Sequence, residues 1–171
     1  VRVYANVSSH SEFQLAKSFN ADGVGLYRTE PFYMGRNNLP TEDELFNKLT
    51  KNLSDVSGQN VFLRLLDIGG DKTLPFLNFI DLKDPALGLN GVRFLLKYPR
   101  LLELQLRVFL RLSNKFNIHI IVPMVSLPGD MREVCQYLAQ EKKQFEKEGI
   151  SFNNKIPVGA MIETPAALMC M

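Results

Sequence analysis

The chain has 171 residues, of which 46% are hydrophobic and 22% charged, the composition of a globular protein long enough to bury a core within one domain. Twenty Lys and Arg against 18 Asp and Glu leave a formal charge of +2, with the signs interspersed, so no electrostatic footprint for nucleic acid or an anionic membrane is present. No apolar run approaches the roughly 20 residues of a spanning helix, and Cys135 and Cys170 lie far apart without metal-ligand spacing. Membrane-spanning, disulfide-stapled and zinc-knuckle classes are thereby excluded, and a cytoplasmic location is expected.

In chain order, Val1–Asn6 reads as a strand, and Ser11–Phe19 as a helix with Ser9 as its N-cap. Val24–Tyr27 is a second, buried strand, followed by a long connection from Arg28 to Pro40. Thr41-Glu-Asp-Glu44 then opens a helix with the Thr-x-x-Glu spacing of a capping box. Asn60–Leu66 is the third strand, and a loop-rich tract runs on to Gly91. Helices are predicted around Val92–Lys97 and over Pro99–Ser113, a fourth strand over Ile118–Pro123, and a long helix over about Pro128–Lys147. Pro157–Ile162 is the fifth strand, and Pro165 suits the first turn of a last helix. The strand-like start and the uncapped helix at Met171 suggest a segment of a longer protein.

Strands alternating with helices predict an α/β fold with a parallel sheet joined by right-handed crossovers. Two architectures compete. A doubly wound sheet is complete at this length, whereas a (β/α)₈ barrel needs about 250 residues, so the chain would hold about five of its units. In either case the C-terminal strand ends build the active site. Arg28 and Glu30 follow the second strand, Arg64 and Asp67 end the third, and Glu163 follows the fifth. Arginine forks suit phosphate and carboxylate, and carboxylates suit Mg²⁺. Together these residues read as an anion-plus-metal site. The alternative is that Arg28–Glu30 and Arg64–Asp67 are local ion pairs that brace loops.

The residues also carry a recognisable pattern. Gly25-Leu-Tyr-Arg-Thr-Glu30, Leu39-Pro-Thr-Glu-Asp-Glu44, Arg64-x-x-Asp67-Ile-Gly-Gly-Asp-Lys72, Pro85-x-Leu-Gly88 and Gly159-x-Met-x-Glu163-Thr-Pro-Ala-Ala167 occur in order. Essentially the whole chain resembles the phosphoenolpyruvate-binding barrel of the enzyme I family of the bacterial sugar phosphotransferase system. The resemblance implies that residues 1–171 are the first five or so units of a TIM barrel that binds phosphoenolpyruvate and Mg²⁺. It further implies a homodimer that passes the phosphoryl group to a histidine on a separate N-terminal domain, and from there to a small histidine-containing phosphocarrier protein. Carried over by position, Arg28 and Arg64 match the arginines that grip the phosphoryl group, and Glu163 matches one of two carboxylates that ligate Mg²⁺. Glu30, Asp67, Asp71, Lys72 and Arg93 are expected to support them. The family's phosphohistidine and catalytic cysteine have no counterpart in this sequence. Neither Cys135 nor Cys170 matches the cysteine, and neither His10 nor His119 sits in the phosphorylation motif. His119 reads as structural.

One departure stands out. Where the family usually has Gly-aromatic-Arg, this chain reads Gly88-Leu89-Asn90, while Arg93 remains. Asn90 removes a positive charge near the phosphoryl site, which opens a rival reading: an enzyme-I-like regulator or scaffold that binds without transferring phosphate. Pyruvate phosphate dikinase and phosphoenolpyruvate synthase share the barrel and form a further alternative.

Overall fold

The computed structural model describes residues 1–56, 58–69 and 88–171. Five strands form one wholly parallel sheet: β1 (Ala5–Val7), β2 (Val24–Tyr27), β3 (Asn60–Arg64), β4 (Asn117–Val122) and β5 (Val158–Ala160). They pair in chain order β1-β2-β3-β4-β5. That order has no reversal of the kind that defines a doubly wound sheet.

The crossovers carry α1 (His10–Ser18), α2 (Glu42–Asn52), α3 (Gly91–Lys97), α4 (Pro99–Ser113) and α5 (Pro128–Glu148), and α6 (Pro165–Met169) follows β5. Successive right-handed crossovers to adjacent strands bring helices onto one face, and α2 packs on α4 and α4 on α5. Between the helices and the sheet lie fully buried Val61, Leu63, Leu102, Leu106, Phe109, Ile118, Ile120 and Phe145, each contributing about 1.5–3 kcal/mol of burial. The alternate residues of β3 and β4 line the other face. There Phe62 and His119 are cross-strand partners with ring centroids 4.4 Å apart, and Tyr4 meets Phe62 edge-on at 5.9 Å. Burial lowers the His119 pKa, which agrees with a packed structural histidine.

The local signals act as the sequence reading expects. The Ser9 hydroxyl accepts from Glu12 N at 3.2 Å. Thr41 and Glu44 close a reciprocal capping box, with Oγ1 accepting at 3.2 Å and Oε2 at 3.1 Å. The first strand is shorter than expected, beginning at Ala5 rather than Val1. Val3 is instead bound by Asp22, whose carboxylate accepts from Val3 N at 2.6 Å, so ladder pairing starts only where Ala5 meets Val24. The Arg28–Pro40 connection contains a 3₁₀ turn, Glu30–Phe32, with Pro31 in its first positions. Among the described residues no helix is long and apolar enough to cross a membrane.

Candidate functional site

Because all five strands run parallel, the residues that follow β2, β3, β4 and β5 share one edge of the sheet. Arg64 is the last residue of β3 and Arg28 the first after β2. Arg28 N donates to Val7 O at 2.9 Å, which carries the β1–β2 pairing up to the edge. Its side chain is exposed and makes no hydrogen bond or ion pair among the described residues.

Arg64 is held differently. Its Nη2 donates to Glu30 Oε1, and its Nη1 lies 3.3 Å from Asp67 Oδ2. Glu30 Oε1 also accepts from Asp67 N at 3.3 Å, and the buried Thr29 hydroxyl donates to Arg64 O at 3.1 Å. The 3₁₀ turn after β2 is thus stitched to the end of β3. Two buried atoms in this cluster, Arg64 Nε and Glu30 Oε2, have no partner among the described residues. Burial raises the pKa of the adjacent Tyr33 phenol, and the Glu30 charge raises it further.

Arg28, Arg64 and Glu30 line one cavity of 220 Å³ with Ser8, Pro31 and Met34. Ser8 is fixed from outside by the Glu12 carboxylate, which accepts from Ser8 N at 2.6 Å and from its hydroxyl at 2.9 Å. Those bonds lower the Glu12 pKa, and the charge of Arg28 adds to the effect. The structure therefore resolves the ion-pair alternative unevenly. Arg64 does pair with Asp67, but Glu30 goes to Arg64 rather than to Arg28, so Arg28 keeps its donors. Ser8 and Met34 escaped the sequence reading. Ser8 was within its reach, since it follows β1 on the same edge.

Glu163 lies on that edge too, beyond β5, but not among the residues that line the arginine cavity. It is exposed, and its Oε1 accepts from Met124 N at 2.6 Å. Arg93 is committed elsewhere, with Nε donating to Gly88 O at 2.9 Å and Nη1 to Ser126 Oγ at 2.8 Å. Asn90 is buried at the N-cap of α3 and leans on Gly69, where an added Cβ would come 1.5 Å from its Oδ1. Asp71 and Lys72 lie outside the described residues. His10 faces Asn52 O, Gln14 and Asp55, at 3.5, 3.4 and 3.9 Å.

Residues 1–171 match a family described as "PEP-utilising enzyme, PEP-binding domain". The chain belongs to this family. It is 39% identical over 167 residues to the phosphoenolpyruvate-protein phosphotransferase of Bacillus sp. (strain S), which covers 98% of this chain and 29% of that protein. It is 37% identical over 166 residues to the Bacillus subtilis protein of the same name, covering 97% of this chain and 29% of that protein. The Escherichia coli multiphosphoryl transfer protein 2 is 38% identical over 168 residues, covering 98% of this chain and 20% of that protein. The chain thus spans less than a third of the length of these curated relatives.

The donor set bears on a metal. Among the described residues no three His, Cys, Asp or Glu side chains gather into a metal-binding group. Glu163 nevertheless fits Mg²⁺ as a single ligand. Its Oε1 is engaged by a backbone amide, and Oε2 makes no hydrogen bond with the described residues. Mg²⁺ takes one or two carboxylates and completes its shell with substrate and water.

Proposed function

We propose that this chain supplies the arginine side of a phosphoenolpyruvate site on the C-terminal rim of a (β/α)₈ barrel. On this reading the whole protein is a cytoplasmic homodimer. It transfers the phosphoryl group to one of its own histidines and on to a small histidine-containing phosphocarrier protein. The sequential strand order, the helices gathered on one face and the aromatic row on the other support five consecutive units of such a barrel. The observation that carries the function is the 220 Å³ cavity whose walls hold both arginines, with Arg28 exposed and Arg64 Nε without a partner among the described residues.

Phosphoenolpyruvate is a compact anion, and its phosphoryl group leaves through a loose, charge-spread transition state. Such a reaction needs positioned positive charge more than covalent help. Arg64, braced by Glu30 and Asp67, presents a guanidinium of fixed orientation. Arg28, unbraced, is free to close on the phosphoryl oxygens. Glu163 would hold Mg²⁺, which when bound neutralises negative charge developing on the enol oxygen of the leaving group.

The test is transfer of labelled phosphate from phosphoenolpyruvate in the full-length protein, read as phosphoprotein and as pyruvate released. Arg28→Ala should lower kcat/KM by about ten- to a hundredfold, the worth of one charge-assisted hydrogen bond at about 1.5–3 kcal/mol. Transfer at the parent rate would overturn the assignment.

Asn90 favours a second reading, a relative that binds phosphoenolpyruvate without transferring phosphate, because asparagine stands where the family resemblance expects arginine. Binding without pyruvate release, in a protein supplied with its carrier, would select that reading.

A further inference from the structure

On the rim between the arginine cavity and Glu163, one residue has an unusual backbone. Met124, just past β4, has φ +53°, a left-handed conformation that residues other than glycine seldom adopt and that tends to persist where the surroundings impose it. The chain on either side of it is tied down. Pro123 O accepts from Val92 N at 3.2 Å, at the start of α3. Val125 O accepts from the buried Thr164 hydroxyl at 2.8 Å, at the start of α6. Held between these two straps, the Met124 amide points at Glu163 Oε1, 2.6 Å away.

Room for this turn is made by Gly91, itself at φ +50°. A Cβ on Gly91 would come 2.8 Å from Met124 Cβ and 3.2 Å from Asp67 Oδ1. The partner of Arg64 and the partner of Glu163 therefore converge on a position where no side chain fits.

We infer that Met124 is a positioning residue for Glu163, its left-handed backbone turning an amide onto one carboxylate oxygen so that the other is presented to a divalent cation. The inference rests on the proposed role of Glu163 as a Mg²⁺ ligand and adds what orients that ligand. An exposed glutamate otherwise samples several rotamers. A charge-assisted bond from a fixed amide selects one of them. Groups that orient a metal ligand in this way are worth about 10–100-fold in metal affinity.

The experiment measures Mn²⁺ binding to the full-length protein by the electron paramagnetic resonance of the free ion, with oxalate present. Met124→Val, whose branched Cβ resists positive φ, should weaken Mn²⁺ about tenfold. Met124→Gly, which adopts that φ freely and keeps the N–H, should stay within about twofold of the parent. Gly91→Ala, which crowds the turn without altering Met124, should weaken Mn²⁺ as Met124→Val does, and it carries the test if the valine variant fails to fold. Glu163→Gln is the benchmark and should weaken binding at least as much. If Glu163→Gln weakens Mn²⁺ but Met124→Val does not, or Met124→Gly is as weak as Met124→Val, the positioning role is overturned and the metal reading survives. If Glu163→Gln binds as the parent does, the metal reading falls and the inference with it.

Discussion

Arg107 on α4 and Arg64 on β3 both sit among carboxylates, yet they use their donors in opposite ways. Arg107 places Nε 2.7 Å from Glu42, Nη1 3.2 Å from Glu141 and Nη2 2.8 Å from Glu148, and its guanidinium lies 4.6 Å from the Phe145 ring centroid. Burial lowers its pKa, but the hydrogen bonds it donates to Glu148, Glu42 and Glu141 outweigh that and raise it. Every nitrogen has a partner, and the result is a clamp across α2, α4 and α5. Arg64 is the more buried of the two, with its side chain 10% exposed against 22%. Even so, among the described residues it pairs with two carboxylates and leaves its buried Nε without a partner, and it lines a cavity. Burial and nearby acids therefore do not distinguish the two arginines. On the proposed reading, donors left over at a cavity wall are what would mark a binding arginine.

Substitutions sharpen this contrast, and the largest effect falls on Arg64. Lysine there keeps a charge for Glu30 and Asp67 but not the planar fork. In the full-length protein Arg64→Lys should lower kcat/KM for phosphoenolpyruvate about a hundredfold or more, the loss of about two charge-assisted hydrogen bonds at about 1.5–3 kcal/mol each. A rate within threefold or so of the parent would show that the spare donors are not used. Asn90→Arg restores the charge that the family pattern expects and should raise transfer by up to about tenfold. An unchanged rate with the fold intact would mean that the site has adapted around asparagine, as its packing on Gly69 allows.

Arg107→Ala should leave transfer per folded molecule unchanged and act on stability alone. Three partly exposed ion pairs at about 0.2–1 kcal/mol each, with a cation–π contact of about 0.5–1 kcal/mol, come to about 1–4 kcal/mol. A scanning melt should show Tm lower by several degrees, and a loss of transfer at full folding would break the contrast.

The smallest effect concerns His119. Burial holds its folded pKa below the ordinary 6.5, so between the two values the unfolded chain binds the extra proton. Stability is therefore full above about pH 6.5 and declines as pH falls through that window. His119→Phe should flatten this decline in urea unfolding at pH 7.5 and 5.5. Equal slopes in parent and variant would show that the ring is solvated.

The sequence by itself determined the kinds of element, their order and the edge on which Arg28, Arg64 and Glu163 lie. Those features are local. Apolar runs mark β2, β3 and β4, the Thr41–Glu44 box and the prolines at 99, 128 and 165 mark helix starts, and a residue that follows a parallel strand is bound to that edge. Motif order alone carried the family resemblance, which the match over residues 1–171 bears out. Only the tertiary structure decided how the charges pair. Glu30 is two residues from Arg28 and 34 from Arg64, yet it turns to Arg64. Arg93 donates to Gly88 and Ser126. The left-handed turn at Met124 has no signal in composition or periodicity. Ion pairs and backbone turns of this kind are decided by differences of an ångström between neighbouring strand ends. Such distances are set by sheet register and helix packing, which the spacing of residues along the chain does not encode.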